Sequence, residues 1–134
     1  MGQSLREVAA GRGVAQWADL TFVDRETIDF ADEASIEKTI ADIWPDVVVN
    51  AAAYTAVDRA EDEAQLAFQL NVAGPKALAV ALAEQGGRLI HVSTAYVFEG
   101  NKVGPYVETD PINPQSVYGE GKADGEAAMR SRPT

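Results

Sequence analysis

The chain has no cysteine among its 134 residues, which excludes disulfides, thiolate metal sites and thiol catalysis. Positive charge is also scarce. Against 21 Asp and Glu stand 11 Lys and Arg, a net charge of -10. With a pI near 4.4, the surface repels phosphate backbones, and no nucleic-acid partner is expected. No uninterrupted apolar run approaches the roughly 18 residues of a membrane span. Met1 is followed by no charged-then-apolar leader. The expectation is a cytoplasmic protein with no membrane partner. A hydrophobic content of 46% suits one modest core rather than two domains. The densest acidic stretch, Asp58 to Glu63, carries carboxylates at helical i,i+3 and i,i+4 spacing, the pattern of a solvated face, and no metal site is expected.

What is present is an alternation of strand-like and helix-like segments. Leu5, Val8 and Ala9 mark one face of a helix from Gln3 to about Ala10. Leu20 to Asp24 and Thr27 to Phe30 read as short strands, and Ser35 to Trp44 as a helix stopped by Pro45. Val47-Val48-Val49 is a β-branched run typical of a strand buried on both faces of a parallel sheet, ending at Asn50. A helical stretch from about Glu61 to Glu84 is expected to break at Gly74-Pro75 and to end at Gly86-Gly87. Arg88 to Ser93 is the next strand, with Leu89, Ile90 and Val92 facing the core. A Gly, Pro and Asn-rich loop then leads to a helix from Val117 to Arg130. Such alternation predicts βαβ units in a doubly wound parallel sheet, whose ligands bind beyond the carboxyl ends of the strands. Those ends are Asp24, Asn50 to Tyr54 and Ser93 to Tyr96.

Tyr118 and Lys122 lie four residues apart at the start of the last helix, which puts a phenol and an ammonium on one face. A phenol with a pKa of about 10 donates protons sluggishly at neutral pH, and a neighbouring cation favours its ionised form. Alone, the spacing equally describes an ordinary surface pair. Ser93-Thr94, directly after a strand, adds a hydroxyl that is able to point into the same cleft. His91 sits mid-strand and reads as a hydrogen-bonded core residue rather than a ligand, and Trp17 and Trp44 read as packing.

Three motifs, DVVVNAAAYTAVDRAEDE at 46 to 63, HVSTAYVFEG at 91 to 100 and YGEGKADGE at 118 to 126, resemble the extended short-chain dehydrogenase/reductases. Within them the likeness is to the dTDP-4-dehydrorhamnose reductase family, over essentially the whole chain. The resemblance implies a Rossmann-type fold, NADPH or NADH as cofactor, and a nucleotide-sugar substrate whose 4-keto group takes a hydride. It also implies roles. Tyr118 is the proton donor, Lys122 lowers its pKa and holds the nicotinamide ribose, and Thr94 hydrogen-bonds the carbonyl, with Tyr96 beside the sugar. Ala51, Ala52, Ala53 and Tyr54 border the cofactor, Asp29 and Phe30 meet the adenine, and Asn71 supports the site from its helix. By its position at a predicted strand end, Asp24 suits a ribose 2′-hydroxyl and so NAD, while adjacent Arg25 equally suits a 2′-phosphate, which leaves the cofactor preference open.

The chain departs from the family at both ends. The opening MGQSL resembles the tail of GxxGQMGxxL, so Gly2 alone represents the phosphate-binding glycines. In the 3-2-1-4-5-6 strand order the first strand separates the second from the fourth, and without it a slot about 10 Å wide is left open. The expectation is a partial cofactor-binding domain over residues 1 to 134, without a C-terminal substrate domain, that binds no dinucleotide alone; its slot must close up, borrow a strand as in a homodimer or strand-swapped oligomer, aggregate, or be filled by the rest of a longer protein. Ala95 and Gly121 stand where the family has an acid and a Thr or Ser. Two other readings share the fold: a non-catalytic subunit similar to the regulatory β-subunit of methionine adenosyltransferase, and another extended reductase or epimerase of nucleotide sugars.

Overall fold

The computed structural model describes residues 1–130. The chain opens with α1 (Gly2–Gly11), none of whose residues is buried. A short 3₁₀ turn, Val14–Gln16, follows Gly13, which takes a φ of 62°. Residues 20–30, expected to supply two strands, form none. A strand exists only where its N-H and C=O groups pair with a neighbour, and among the described residues nothing pairs with this segment. Asp24 instead organises a turn, its Oδ1 accepting from the backbone N-H of Glu26 at 3.1 Å and of Thr27 at 3.2 Å. The chain then dips inward, burying Ile28 and partly burying Phe30.

Asp32 caps α2 (Glu33–Ile43), its carboxylate accepting from Ala34 N at 3.0 Å. Trp44 ends the helix in the left-handed region at φ 50°, its N-H closing on Ile40 O, and Pro45 follows where the helix cannot continue. Strand β1 (Val47–Asn50) pairs in parallel with β2 (Arg88–His91), Asn50 lying opposite His91. Among the described residues this two-stranded sheet is the whole ladder. Only one of its faces is covered. Val48 and Leu89 pack into the core, whereas Val47, Val49 and Ile90 are each about half exposed, so the expected burial on both faces is not found.

Between the strands run α3 (Val57–Ala60), α4 (Ala64–Phe68), a π-helical turn (Gln69–Ala73) and α5 (Gly74–Glu84). The helix does not break at Gly74-Pro75. Pro75 has no N-H to give the carbonyl four residues back, at Asn71, and the wider π turn absorbs that loss while the helix continues. Ala64–Glu84 is thus one helix long and apolar enough, by length and composition, to cross a membrane, although polar residues interrupt its apolar runs. Here 44% of its most apolar window is buried within the fold. Ile36, Ile40, Leu78 and Leu82 lock α2 onto α5 over the sheet, each worth about 1.5–3 kcal/mol of burial. Gly86, at φ 77°, turns the chain out of α5, and Gly87 N-H closes on Leu82 O at 2.9 Å. The last described element is α6 (Val117–Arg130), where the sequence placed it.

Candidate active site

The parallel pairing brings the carboxyl ends of β1 and β2 to one edge, and Lys122 of α6 reaches them, bonding to His91 and Val92 O. That docking rests on glycine. A Cβ on Gly119 would stand 2.3 Å from Tyr96 O, and one on Gly125 would stand 2.3 Å from Asn71 O. Without side chains at these points α6 reaches the π turn and the loop after β2 at backbone contact. Gly121, the family's Thr or Ser position, is buried against Asn71.

After β2 the chain enters a 3₁₀ turn, Ala95–Val97. It is capped by Thr94, whose Oγ1 accepts from Tyr96 N at 3.3 Å and keeps its own O-H free to donate. The exposed ring of Tyr96 packs edge-on against Tyr118, centroids 5.6 Å apart at 72°. Tyr118 is 9% exposed and sits in a small cluster with Ala60 and Ala67, bordered by Tyr54. Asn71 is fully buried inside the π turn. It clamps Tyr54 from both sides, accepting from Tyr54 N at 2.8 Å and donating to Tyr54 O at 3.1 Å. The Tyr54 hydroxyl donates to Glu63, which also takes Arg59. That hydrogen bond raises the Tyr54 pKa and lowers that of Glu63.

Lys122 is 1% exposed. Its Nζ donates to Val92 O at 2.8 Å and lies 2.9 Å from His91 Nε2. The far ring nitrogen, Nδ1, lies 3.0 Å from the amide nitrogen of Asn50, whose Oδ1 accepts from Ala52 N at 3.0 Å. Burial, and then the Lys122 charge, push the His91 pKa down to about 4. Burial likewise lowers the Lys122 pKa, with Glu126 opposing it. Glu126 is itself held by Ser93 and Arg130.

The residues singled out from sequence therefore divide. Thr94, Tyr96, Tyr118, Lys122, Asn71 and Tyr54 come together with the segment Ala51 to Ala53 at the strand ends. Gly2, Asp29 and Phe30 do not join them. Gly2 is an exposed helical residue with open space around it. The Asp29 carboxylate is taken by Ala31 N at 2.9 Å. The ring of Phe30 packs against Gly74, where a Cβ would approach it to 2.7 Å. Asp24, read as a ribose acceptor, spends its carboxylate on its own turn. Two contributors escaped the sequence reading. Glu61 of the acidic stretch accepts from Val117 N at 2.9 Å and so anchors the start of α6. His91, correctly read as hydrogen-bonded, proves to bond to the site lysine. The spacing of Gly119, Gly121 and Gly125 on one helix was the available signal for close backbone approach.

The whole chain, residues 1–134, matches the family described as RmlD substrate binding domain. A dTDP-4-dehydrorhamnose reductase of Sinorhizobium fredii is 45% identical over 113 residues, which are 84% of this chain and 38% of that protein. One from Aggregatibacter actinomycetemcomitans is 40% identical over 129 residues, 96% of this chain and 43% of that one. Among solved structures, dTDP-4-dehydrorhamnose reductase from Bacillus anthracis in complex with NADP matches with a TM-score of 0.84 at 32% identity, covering 87% of this chain and 41% of that one. The chain spans about two fifths of the length of these relatives. The α/β arrangement is Rossmann-type, like that of its structural neighbours.

Proposed function

The chain belongs to the RmlD substrate binding domain family, and on that premise we propose that it builds the proton-donating side of an NAD(P)H-dependent nucleotide-sugar reductase that converts dTDP-4-dehydro-L-rhamnose to dTDP-L-rhamnose. One observation carries the reading. Lys122 is buried with no carboxylate in ion-pair contact among the described residues. Removing an ammonium from water costs several kcal/mol unless a counter-charge offsets it, and lysines are almost never fully buried unpaired. A fold arranged only for stability would place an apolar side chain there. An amine kept at that cost, one turn from Tyr118 at the end of a parallel sheet, suits chemistry.

The residues present fit one half of a dinucleotide. Ala51 to Ala53 offer small side chains and backbone groups after β1, Asn71 fixes the Tyr54 backbone beside them, and Lys122 would reach the nicotinamide ribose. The candidates for the adenine side, Gly2, Asp29 and Phe30, lie apart from this cluster. When bound, the reduced nicotinamide supplies the hydride that becomes the new C-H bond at C4 of the sugar. The chain's own residues handle the oxygen. Thr94 donates a hydrogen bond to the C4 carbonyl and holds it in place. Tyr118 transfers its hydroxyl proton to that oxygen as the C=O bond opens, so that ketone, hydride and proton sum to the alcohol. Tyr96, edge-on against Tyr118, walls the sugar side.

The test is turnover of dTDP-4-dehydro-L-rhamnose, followed by loss of NADPH absorbance, in the protein that carries this chain. Tyr118→Phe is expected to lower kcat by on the order of 10²–10⁴-fold with little change in sugar KM. Turnover at the unaltered rate would overturn the assignment.

A further inference from the structure

The hydrogen bonds around His91 fix more than its position. Asn50 Oδ1 is taken by Ala52 N, so its amide nitrogen, which only donates, faces His91 Nδ1. Nδ1 must therefore accept, and a neutral ring then carries its proton on Nε2. That proton points at Lys122 Nζ, 2.9 Å away. An amine at Nζ satisfies the arrangement: its lone pair accepts from Nε2-H, one N-H goes to Val92 O, and one remains for the site. An ammonium has no lone pair and would meet Nε2-H with a second donor. To accommodate it, the imidazole proton must move to Nδ1 and the Asn50 amide must turn its oxygen toward the ring. That turn removes the acceptor of Ala52 N-H.

We propose that His91 is a positioning residue that couples the protonation state of Lys122 to the orientation of the Asn50 side chain, and through it to the backbone at Ala52. Proton gain by Lys122 switches the His91 tautomer from Nε2-H to Nδ1-H and releases Ala52 N-H at the strand end. The other charged groups facing this pair are Glu126, one turn further along α6, and Arg130, bonded to Glu126 and lining with His91 an open hollow of about 460 Å³. Tyr118, Glu120 and Asp124 are the remaining titratable groups on the same helix. On the β1 side Asn50 is uncharged, and on the π turn Asn71 is too. Lys122 is thus the ionisable group in direct contact with the ring. The consequence for catalysis rests on the reductase reading, because Ala51 to Ala53 border the proposed nicotinamide site, but the coupling itself needs no ligand.

His91 is the single histidine of the chain, so its two imidazole nitrogens give one unambiguous pair of ¹⁵N signals. Followed from about pH 11 downward to about pH 5 in the unmodified chain, these signals are expected to change from the Nε2-H to the Nδ1-H pattern before the ring itself becomes charged. In Asn50→Asp, whose carboxylate only accepts, the Nδ1-H pattern should hold from high pH until the ring charges. In Lys122→Met the Nε2-H pattern should persist until the ring charges. A single unchanging tautomer in the unmodified chain, or an unaltered switch in Lys122→Met, overturns the proposal. The titration of the unmodified chain decides the matter even if a variant fails to fold. Loss of reductase activity without loss of the switch, or the reverse, separates this inference from the reading it extends.

Discussion

The first 27 residues and helix α6 occupy opposite ends of the chain and opposite conditions of packing. None of those 27 residues is buried. Leu5, Leu20, Phe22 and Val23 each stand at least 40% exposed although their residue types suit a core. In α6, by contrast, five residues are buried, and three of them are glycines while one is Lys122. Apolar side chains do not by themselves make a core; they need an opposing surface. Among the described residues the N-terminal segment buries none of its apolar side chains, whereas α6 has little apolar bulk and two backbone surfaces at contact distance. Tyr118 and Lys122 are thereby held by backbone contacts of α6, whereas Gly2, in the N-terminal segment, is held by none.

The contrast is broken most directly at Gly125. A methyl group there would stand 2.3 Å from Asn71 O, a backbone atom that cannot step aside. Gly125→Ala is expected to cost about 3 kcal/mol or more in denaturant unfolding, with loss of the Asn71–Tyr54 clamp. A cost below about 1 kcal/mol would mean that α6 is not seated as closely as described. Next in size is the effect of pH through His91. Its folded pKa, near 4, lies below the ordinary 6.5. The unfolded chain therefore binds the proton first as pH falls, and stability is lost between pH 6.5 and pH 4. Discounted for solvent screening of a half-buried ring, that loss is on the order of 1–2 kcal/mol and should be absent in His91→Gln. Glu61→Ala removes the acceptor of Val117 N-H at the head of α6 and should cost about 1 kcal/mol. On the other side of the comparison, calorimetry of the 134-residue chain with NADPH is expected to detect no micromolar binding. Such binding would show that the N-terminal segment can organise around a ligand after all.

Much of this contrast could be read from the sequence, and the part that could not has a physical cause. The helix at Val117 to Arg130 and the strand at Val47 to Asn50 were legible because periodicity and β-branching act locally. Tyr118, Lys122 and Thr94 were legible because they lie next to those elements. Leu20 to Asp24 carries an equally good local pattern and is not a strand, since pairing is a property of two segments and one segment's pattern cannot report its partner. The same blindness explains Val49 and Ile90, whose burial depends on what lies opposite. Continuation of the helix through Gly74-Pro75 depends on Asn71 and the π turn, a backbone adjustment without a local residue signature. The bond between Lys122 and His91, residues 31 apart in sequence, is set by how α6 crosses the end of β2.

The smallest expected effect gives the finest test of the comparison. Gly11 closes α1 with a negative φ, and a Cβ there would meet nothing within 4 Å. Gly11→Ala therefore adds helix propensity without any clash, a gain of roughly 0.5–1 kcal/mol if α1 were part of the cooperative fold. Because α1 buries no residue, that gain should stay local. Amide exchange in α1 should slow, while the global unfolding free energy moves by less than about 0.3 kcal/mol. If the full gain appears in global unfolding, α1 melts together with the core, and the first 27 residues belong to the same cooperative unit as α6 despite their exposure. The two measurements together separate a helix that merely forms from one that holds the fold.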